Sequence, residues 1–436
     1  MKRFLPIICL LLGQCAYVQA QDTLSFSDVL SSALEQNYGI RLARNAAEIP
    51  AILNDRSQAG MLPTVTGSVA TNYSNTTINQ EFANGNSFQQ SGVSNYVANS
   101  SVAAEWTVFD GMRMFIARDR LAELEKIGKT ELENQIQQTL YSLTLSWYNL
   151  LRLQEQIRVT EAFIGLLEER VKIAGRAFEI GASAKTDLLQ AEIDLQEQQV
   201  SLRRQQNEIA NARAAINQLM GVAPEGKWVS GGKEPSYEVP GYQILKDSML
   251  ANNPQLLALK SRLAVSVLTE RETRAQVYPT VALRGGANLN FSRNTAGFSL
   301  FNLNFGPYAG FAVNIPIYQA GRLRNQTELA QLDIENVRTQ GEQLQLQLQT
   351  LFEQSWNDYN NTRQVAVQQA EIARLAEENA DIAFALFRQR QISSVDLRQV
   401  QLVYVQAKNT EILTRFEMKQ AELDLLLLSG RIRSLL

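Results

Sequence analysis

Residues 62–74, LPTVTGSVATNYS, and residues 278–292, YPTVALRGGANLNFS, decide how this chain is read. In the first, Val65, Gly67, Val69 and Tyr73 alternate with Thr66, Ser68, Ala70 and Asn72; in the second, Val281, Leu283, Ala287, Leu289 and Phe291 alternate with Arg284, Asn288, Asn290 and Ser292. A period of two is the signature of a strand with one apolar face. The two runs stand 216 positions apart, Pro63 against Pro279, and ahead of them Leu34-Glu35-Gln36-Asn37 stands against Leu250-Ala251-Asn252-Asn253 at the same offset.

The correspondence continues along the chain. Ser146-Trp147 matches Ser355-Trp356, Phe178 with Asp187-Leu188 matches Phe387 with Asp396-Leu397, and Leu219-Met220-Gly221 matches Leu428-Ser429-Gly430, all 209 positions apart. Two tandem copies of one supersecondary unit explain this, one over 21–231 and one over 232–436.

Each copy carries two strand runs, near 64–74 and 97–109, then near 280–292 and 304–317. Each run is close to the roughly 9 to 11 residues with which a tilted strand crosses a bilayer. The links from Asn75 to Asn95 and from Arg293 to Leu303 are rich in Asn, Ser, Thr and Gly and read as exposed loops.

Outside the strands the period becomes seven. Ile136, Leu143, Leu150, Ile157, Ile164, Val171 and Phe178 hold one heptad position, and Leu188, Leu195, Leu202, Ile209 and Ile216 another. The second copy keeps the spacing with Phe352, Tyr359, Ala366, Ala373, Ala380 and Phe387, then Val400, Ala407, Thr414, Ala421 and Leu428. Sustained heptads mean helices packed as coiled coils. Trp147 and Trp356 fall among them and read as core. Trp106, at the end of a strand run, reads as an interfacial aromatic.

Gly111 and Gly321 stand where a strand must bend into a helix. Helical hairpin turns are expected near 179–184, with Gly181 and Ser183, and near 388–394, with Ser393 and Ser394, capped by hydroxyls. From Gly111 to Phe178 a helix would run about 100 Å. The segments from Ser27 to Leu62 and from Ser183 to Leu219 together match that length, so two shorter helices stacked end to end are expected beside one long one.

Residues 1–20 read as a signal peptide: Lys2 and Arg3, an apolar run from Phe4 to Leu12, and Val18-Gln19-Ala20 with the small-residue spacing of a cleavage site. Both cysteines, Cys9 and Cys15, lie in it; Cys15 is preceded by Gln14, where a lipoprotein leader has a small residue, so cleavage after Ala20 is expected. The chain has no histidine. Without His or Cys the usual general base, thiol nucleophile and most transition-metal sites are missing, and no cofactor or enzymatic role is expected. A hydrolase working with carboxylates alone would need an isolated acidic pair, and none stands out from the helical charge pattern. A net charge of −3 with no basic run argues against nucleic acid.

Four strands leave two open edges, whose backbone groups cannot face hydrocarbon. One chain therefore cannot close a barrel. Two copies would give eight strands and three would give twelve, and periodicity does not choose between them.

In its paired motifs the chain resembles the TolC family of outer-membrane efflux proteins. The motifs are Ala33-Leu34 through Asn37-Tyr38, the Leu-Pro and Tyr-Pro strand starts, Phe109-Asp110-Gly111, Tyr318-Gln319-Ala320-Gly321, and the turns before Asp187 and Asp396. The resemblance implies a mainly α protein with a membrane β-barrel: a homotrimer with a shared twelve-stranded barrel in the outer membrane of a Gram-negative bacterium, in contact with its lipid, and a long α-helical tunnel in the periplasm. It implies a passive duct of a tripartite efflux or type I secretion system, whose tunnel tip docks on a periplasmic adapter linked to an inner-membrane transporter. On this resemblance Phe178, Gly181, Ser183, Phe387, Gln391 and Ser393 belong to the docking tip, and Asp187, Asp396 and Gln399 to the pore constriction.

Simpler readings stand beside these. Ser183 or Thr186 would cap a helical hairpin, with Asp187 and Asp396 complementing positive helix ends. Arg390-Gln391 stands where the first copy has Gly181-Ala182, and Gln399 replaces a second pore carboxylate found in some relatives. The alternative for the whole chain is a coiled-coil structural or adhesin-like surface protein.

Overall fold

The structure, a computed structural model, describes residues 22–231, 237–297 and 299–435; the expected signal peptide and both cysteines lie outside them. In chain order come β1 (Asp22–Ser25), α1 (Phe26–Gln36), α2 (Tyr38–Leu53), β2 (Thr64–Glu81), β3 (Ser87–Phe109), α3 (Arg113–Glu179), α4 (Lys185–Met220) and β4 (Trp228–Gly231). There follow α5 (Tyr242–Asn252), α6 (Pro254–Ala275), β5 (Thr280–Asn294), β6 (Phe301–Asn314), α7 (Arg322–Arg388), α8 (Ser394–Leu428) and a final turn of 3-10 helix, Ile432–Leu435.

The helices form a wall. Both α3 and α7 contain 67 residues, hence run about 100 Å each. On one side of α3 stand α2 and α4, on the other α6 and α8, and α7 closes the row beside α6 and α8. The shorter helices stack end to end, as the lengths suggested, with one correction. The expected partner from Ser27 to Leu62 is three pieces: α1 turns aside at Asn37, α2 ends at Leu53, and turns lead on to the strands. Only α2 and α4 form the column. Close approach of α2 to α3 requires a glycine, because a Cβ on Gly128 would stand 2.8 Å from Pro50 Cγ.

The densest core lies at mid-height. Phe26, Val29 and Leu30 of α1 and Trp228 of β4 pack onto Leu140, Leu143, Trp147 and Leu150 of α3. The indoles of Trp147 and Trp228 stack at 5.8 Å with planes 6° apart. Burying such side chains contributes about 1.5–3 kcal/mol each. Parallel pairing of β1 with β4 ties these pieces into a belt on one face of the wall. Trp356 packs with Phe352 and Tyr242 in the matching cluster.

Beyond one end of the wall, β2, β3, β5 and β6 make one antiparallel sheet in that order. Two strand limits differ from expectation. The strands β2 and β3 continue to Glu81 and from Ser87, so the expected 75–95 loop is mostly paired ribbon; its Asn, Gln and Ser residues alternate without an apolar face, which hid the strand. The last strand runs 301–314 rather than 304–317, since Pro316, lacking an N–H, cannot prolong the ladder. The β2–β3 ribbon therefore outruns β5–β6, whose turn meets it where the Ser94 amide donates to Thr295 Oγ1 at 2.8 Å.

Candidate functional site

The sheet has two chemically different faces. Register puts Val65, Val69 and Tyr73 of β2 on the same side as Val102 and Tyr96 of β3, Leu283, Leu289 and Phe291 of β5, and Phe311, Phe305 and Leu303 of β6. Nearly all of these are exposed, Val69 at 77% and Phe311 at 75%. A soluble sheet would bury such a face. The opposite side carries Thr66, Ser68, Asn72, Asn99, Asn288, Asn290 and Asn304, and the one ion pair of the sheet among the described residues, Arg284 Nη2 to Glu105 Oε1 at 3.1 Å.

Aromatic residues mark both limits of the apolar band. At the helix end Trp106 donates through Nε1 to the Met61 carbonyl at 2.9 Å; at the far end Tyr96, Phe291 and Phe301 meet edge to face, with centroids 5.9 and 5.6 Å apart. The outer strands, β2 and β6, have one edge each unpaired. Soluble proteins protect such edges with charge or proline. Here β6 has no charged residue and a single proline, Pro307, and β2 has only Glu81.

Gly111 (φ 72°) and Gly321 (φ 75°) sit between strand and helix. A Cβ on Gly111 would lie 2.5 Å from Tyr278 Cβ, so no side chain fits there. Asp110, 5% exposed, accepts the Met114 amide at 3.0 Å and caps α3, while Gly321 itself is the N-cap position of α7.

At the other end of the wall, both hairpin turns close with the same pair of backbone bonds. Gly181 N donates to Phe178 O and Ala182 N to Ala177 O; Arg390 N donates to Phe387 O and Gln391 N to Leu386 O. Gly181 and Arg390 occupy the same left-handed position, with φ of 70° and 60°. The caps differ. Ser393 caps α8 in a full capping box with Asp396, whose Oδ2 accepts from Ser393 Oγ at 2.7 Å and from Ser393 N at 3.3 Å. The expected hydroxyl cap of α4 is absent: the N-cap is Ala184, without a side-chain bond, and Ser183 Oγ is unpaired. Ser183 falls one residue too early to reach the first free amides. Asp396 and Gln399 are exposed, Asp187 and Phe387 partly buried, and Phe178, Gly181 and Gln391 exposed.

Just above the tip lies a charged cluster that the pattern reading missed. Arg170 of α3, 1% exposed, donates to Asp194 Oδ2 of α4 at 2.8 Å and to Ser394 Oγ of α8 at 3.3 Å. Arg398 of α8 donates to both oxygens of Asp194, at 3.0 and 3.1 Å. Arg388 of α7 pairs with Glu169 of α3. Arg170 follows Phe163 by one heptad on the buried stripe, and a charge at a core position was the available signal.

Comparison with known proteins gives a consistent result. The profile described as "Outer membrane efflux protein" matches residues 29–222 and 245–431. The outer membrane efflux protein BepC of Brucella suis biovar 1 (strain 1330) is 23% identical over 259 residues, which are 59% of this chain and 55% of that protein. The chain spans about half the length of the curated relatives it matches. Among solved structures, the Campylobacter jejuni CmeC outer membrane channel superposes with a TM-score of 0.77 at 14% identity, covering 93% of this chain and 85% of that one. The outer membrane protein VceC of Vibrio cholerae gives 0.75 at 15% identity, covering 93% and 96%.

Proposed function

Because the chain belongs to the outer membrane efflux protein family, we propose that it is the outer-membrane export duct of a Gram-negative cell. In this reading it is a homotrimer with a shared twelve-stranded barrel in outer-membrane lipid and a helical tunnel in the periplasm. The observation that carries the reading is the sheet, apolar on one side and polar on the other, with two unpaired edges, at the end of a helical wall about 100 Å long.

The four strands alternate in direction, so β6 of one copy meets β2 of the next antiparallel and closure repeats the existing pattern. Two copies would give eight strands, a barrel whose interior side chains fill it; three leave a duct. Apolar stripes on the wall's outermost helices support the same closure: Tyr38, Leu42, Ile49 and Ile52 on α2, and Leu329, Leu332 and Leu346 on α7, are all exposed in the single chain. One edge of the wall then packs on the other edge of the next copy, a head-to-tail contact that closes as a ring.

The tip carries the remaining roles. Phe178, Gly181, Ser183, Phe387, Gln391 and Ser393 form the surface that meets a periplasmic adapter bound to an inner-membrane transporter, and Asp187, Asp396 and Gln399 surround the narrow end of the pore. The duct performs no reaction; the transporter supplies the energy. The test is the mass of purified protein in mild detergent, with fractionation of cell envelopes and planar-bilayer recording. Trimers from outer-membrane fractions that conduct ions are expected. A monodisperse monomer without conductance would overturn the reading.

A further inference from the structure

At mid-height, where α3 passes α8 and the end of β4, a groove of about 240 Å³ opens on the belt-covered side of the wall. Four cationic side chains line it, Arg152, Arg158, Arg415 and Lys419, against one acid, Glu155. Three of the cations have carboxylate partners: Arg158 with Glu155 at 3.6 Å, Arg415 with Glu411 at 2.8 Å, and Lys419 with Glu422 at 2.9 Å. Among the described residues Arg152 has no ion pair, and its hydrogen bonds go to neutral amides. Its Nε and Nη2 donate to Asn149 Oδ1 at 3.1 and 2.8 Å, and Nη1 donates to Gln156 Oε1 at 2.9 Å.

Those bonds fix the guanidinium without neutralising it. Its carbon also lies 5.6 Å from the ring centroid of Phe416, a cation–π contact that preserves the positive charge. The apolar part of the lining that remains partly exposed is Leu151 and the Phe416 ring, over buried Trp147 and Ile412. A half-buried, pre-oriented cation beside an apolar wall suits a ligand that has both an anionic head and an apolar body.

We propose that this groove binds a small organic anion with a single aromatic or aliphatic body, its carboxylate, sulfonate or phosphate head on Arg152 and its body against Leu151 and Phe416. The volume lies below the roughly 300–1,000 Å³ of sites for drug-sized ligands, which restricts the body to about one ring system. Burial holds the Arg152 guanidinium below its usual range, with the charge of Glu208 opposing, and an anion in the groove relieves that cost. On the duct reading above, the belt faces the periplasm, so the ligand is a periplasmic solute and not cargo inside the tunnel. Binding needs only one chain.

The probe is 2-naphthalenesulfonate, titrated by calorimetry and by indole fluorescence into the full-length protein in one detergent. Saturable binding is expected, weakened about tenfold or more by Arg152→Gln. Arg415→Gln, which changes a side chain 55% exposed, is expected to weaken it less while the melting curve stays unchanged, so the result does not depend on whether Arg152→Gln folds. Glu155→Gln is expected to tighten it. Binding that does not saturate, or that is equal in the wild type and both arginine variants, overturns the proposal. So does binding of a glutamate-rich peptide with none of the sulfonate. A monomer that still binds the sulfonate would sink the duct reading and leave this one standing.

Discussion

Asn37 donates through Nδ2 to the carbonyl of Leu219 at 2.7 Å, while its Oδ1 accepts the amide of Ile40 at 3.1 Å. One side chain thus satisfies the last turn of α4 and the first turn of α2 where the two helices meet end to end. Asn253 does the same for α8 and α6, donating to the Leu428 carbonyl at 3.0 Å and accepting from Gln255 at 3.0 Å. The backbone comes so close at each joint that a Cβ on Gly221 would stand 2.4 Å from Gln36 O, and one on Gly430 2.7 Å from Asn252 O.

Asn37→Ala is expected to cost about 1–3 kcal/mol, from a lost N-cap and a carbonyl left unpaired. Asn37→Asp keeps the acceptor but sets a buried carboxylate oxygen against the Leu219 carbonyl, so it too is expected to melt below wild type in thermal unfolding followed by circular dichroism. Equal melting of all three proteins would show that the bridge contributes nothing.

Arg390 occupies a left-handed position that costs an ordinary residue about 1–2 kcal/mol and glycine almost none. Arg390→Gly is therefore expected to raise the melting temperature slightly, and Gly181→Ala at the matching turn to lower it. A loss of stability in Arg390→Gly would mean that the side chain makes a contact the single chain does not contain.

Asp194 lies between Arg170 and Arg398. Asp194→Asn leaves Arg170, 1% exposed, without its counter-charge and is expected to cost about 3–5 kcal/mol. Arg398→Gln, which removes the more exposed cation, is expected to cost much less. Chemical denaturation of the two variants in parallel checks the ratio.

Asp424 is pushed above the usual carboxylate range by burial, opposed by the hydrogen bond it accepts from Tyr141 at 2.6 Å. A raised folded value means that the ionised form is disfavoured in the native state. The stability of the acid form is present below the unfolded value and is lost as pH rises through the folded one. Asp424→Asn, which can still accept from Tyr141, is expected to be the more stable protein at pH 7, with the advantage vanishing in acid below the ordinary carboxylate value. Melting temperatures across that range test the sign.

Asp396 has two candidate roles that separate experimentally. In a trimer, carboxylates about 10 Å apart repel by only about 0.4 kcal/mol in water-like dielectric, so a ring of them costs the assembly little and would favour cations. The capping box makes the same carboxylate a helix-end group. Ser393→Ala breaks the box and keeps the charge; Asp396→Asn removes the charge. Altered cation selectivity in single channels of Asp396→Asn, but not of Ser393→Ala, assigns the residue to the pore. Unchanged conduction in both removes it from the gate.

The strands of the apolar band and the long helices were legible because both bury or expose side chains at a fixed period. What escaped the sequence lacked that contrast. The ribbon of residues 75–81 and 87–95 alternates polar with polar. The pairing of Asp22–Ser25 with Trp228–Gly231 joins four-residue pieces with no local signal. The Arg170–Asp194–Arg398 cluster spans three helices, and only Arg170 sits at a visibly anomalous heptad position. Ser183 carried the right chemistry one residue out of place.

The two asparagine joints also lie at one level. Gly39, just past the first, approaches Gln135 of α3, and Pro254 and Gln255, at the second, line a groove with Asn134 of the same helix. Each wall is thus built like splinted masonry, with two unbroken columns, α3 and α7, alternating with two that are coupled at mid-span. Bending loads pass through the unbroken columns. At the couplings the wall depends on an asparagine and a glycine in place of a continuous backbone, and the neighbouring unbroken column bridges each gap.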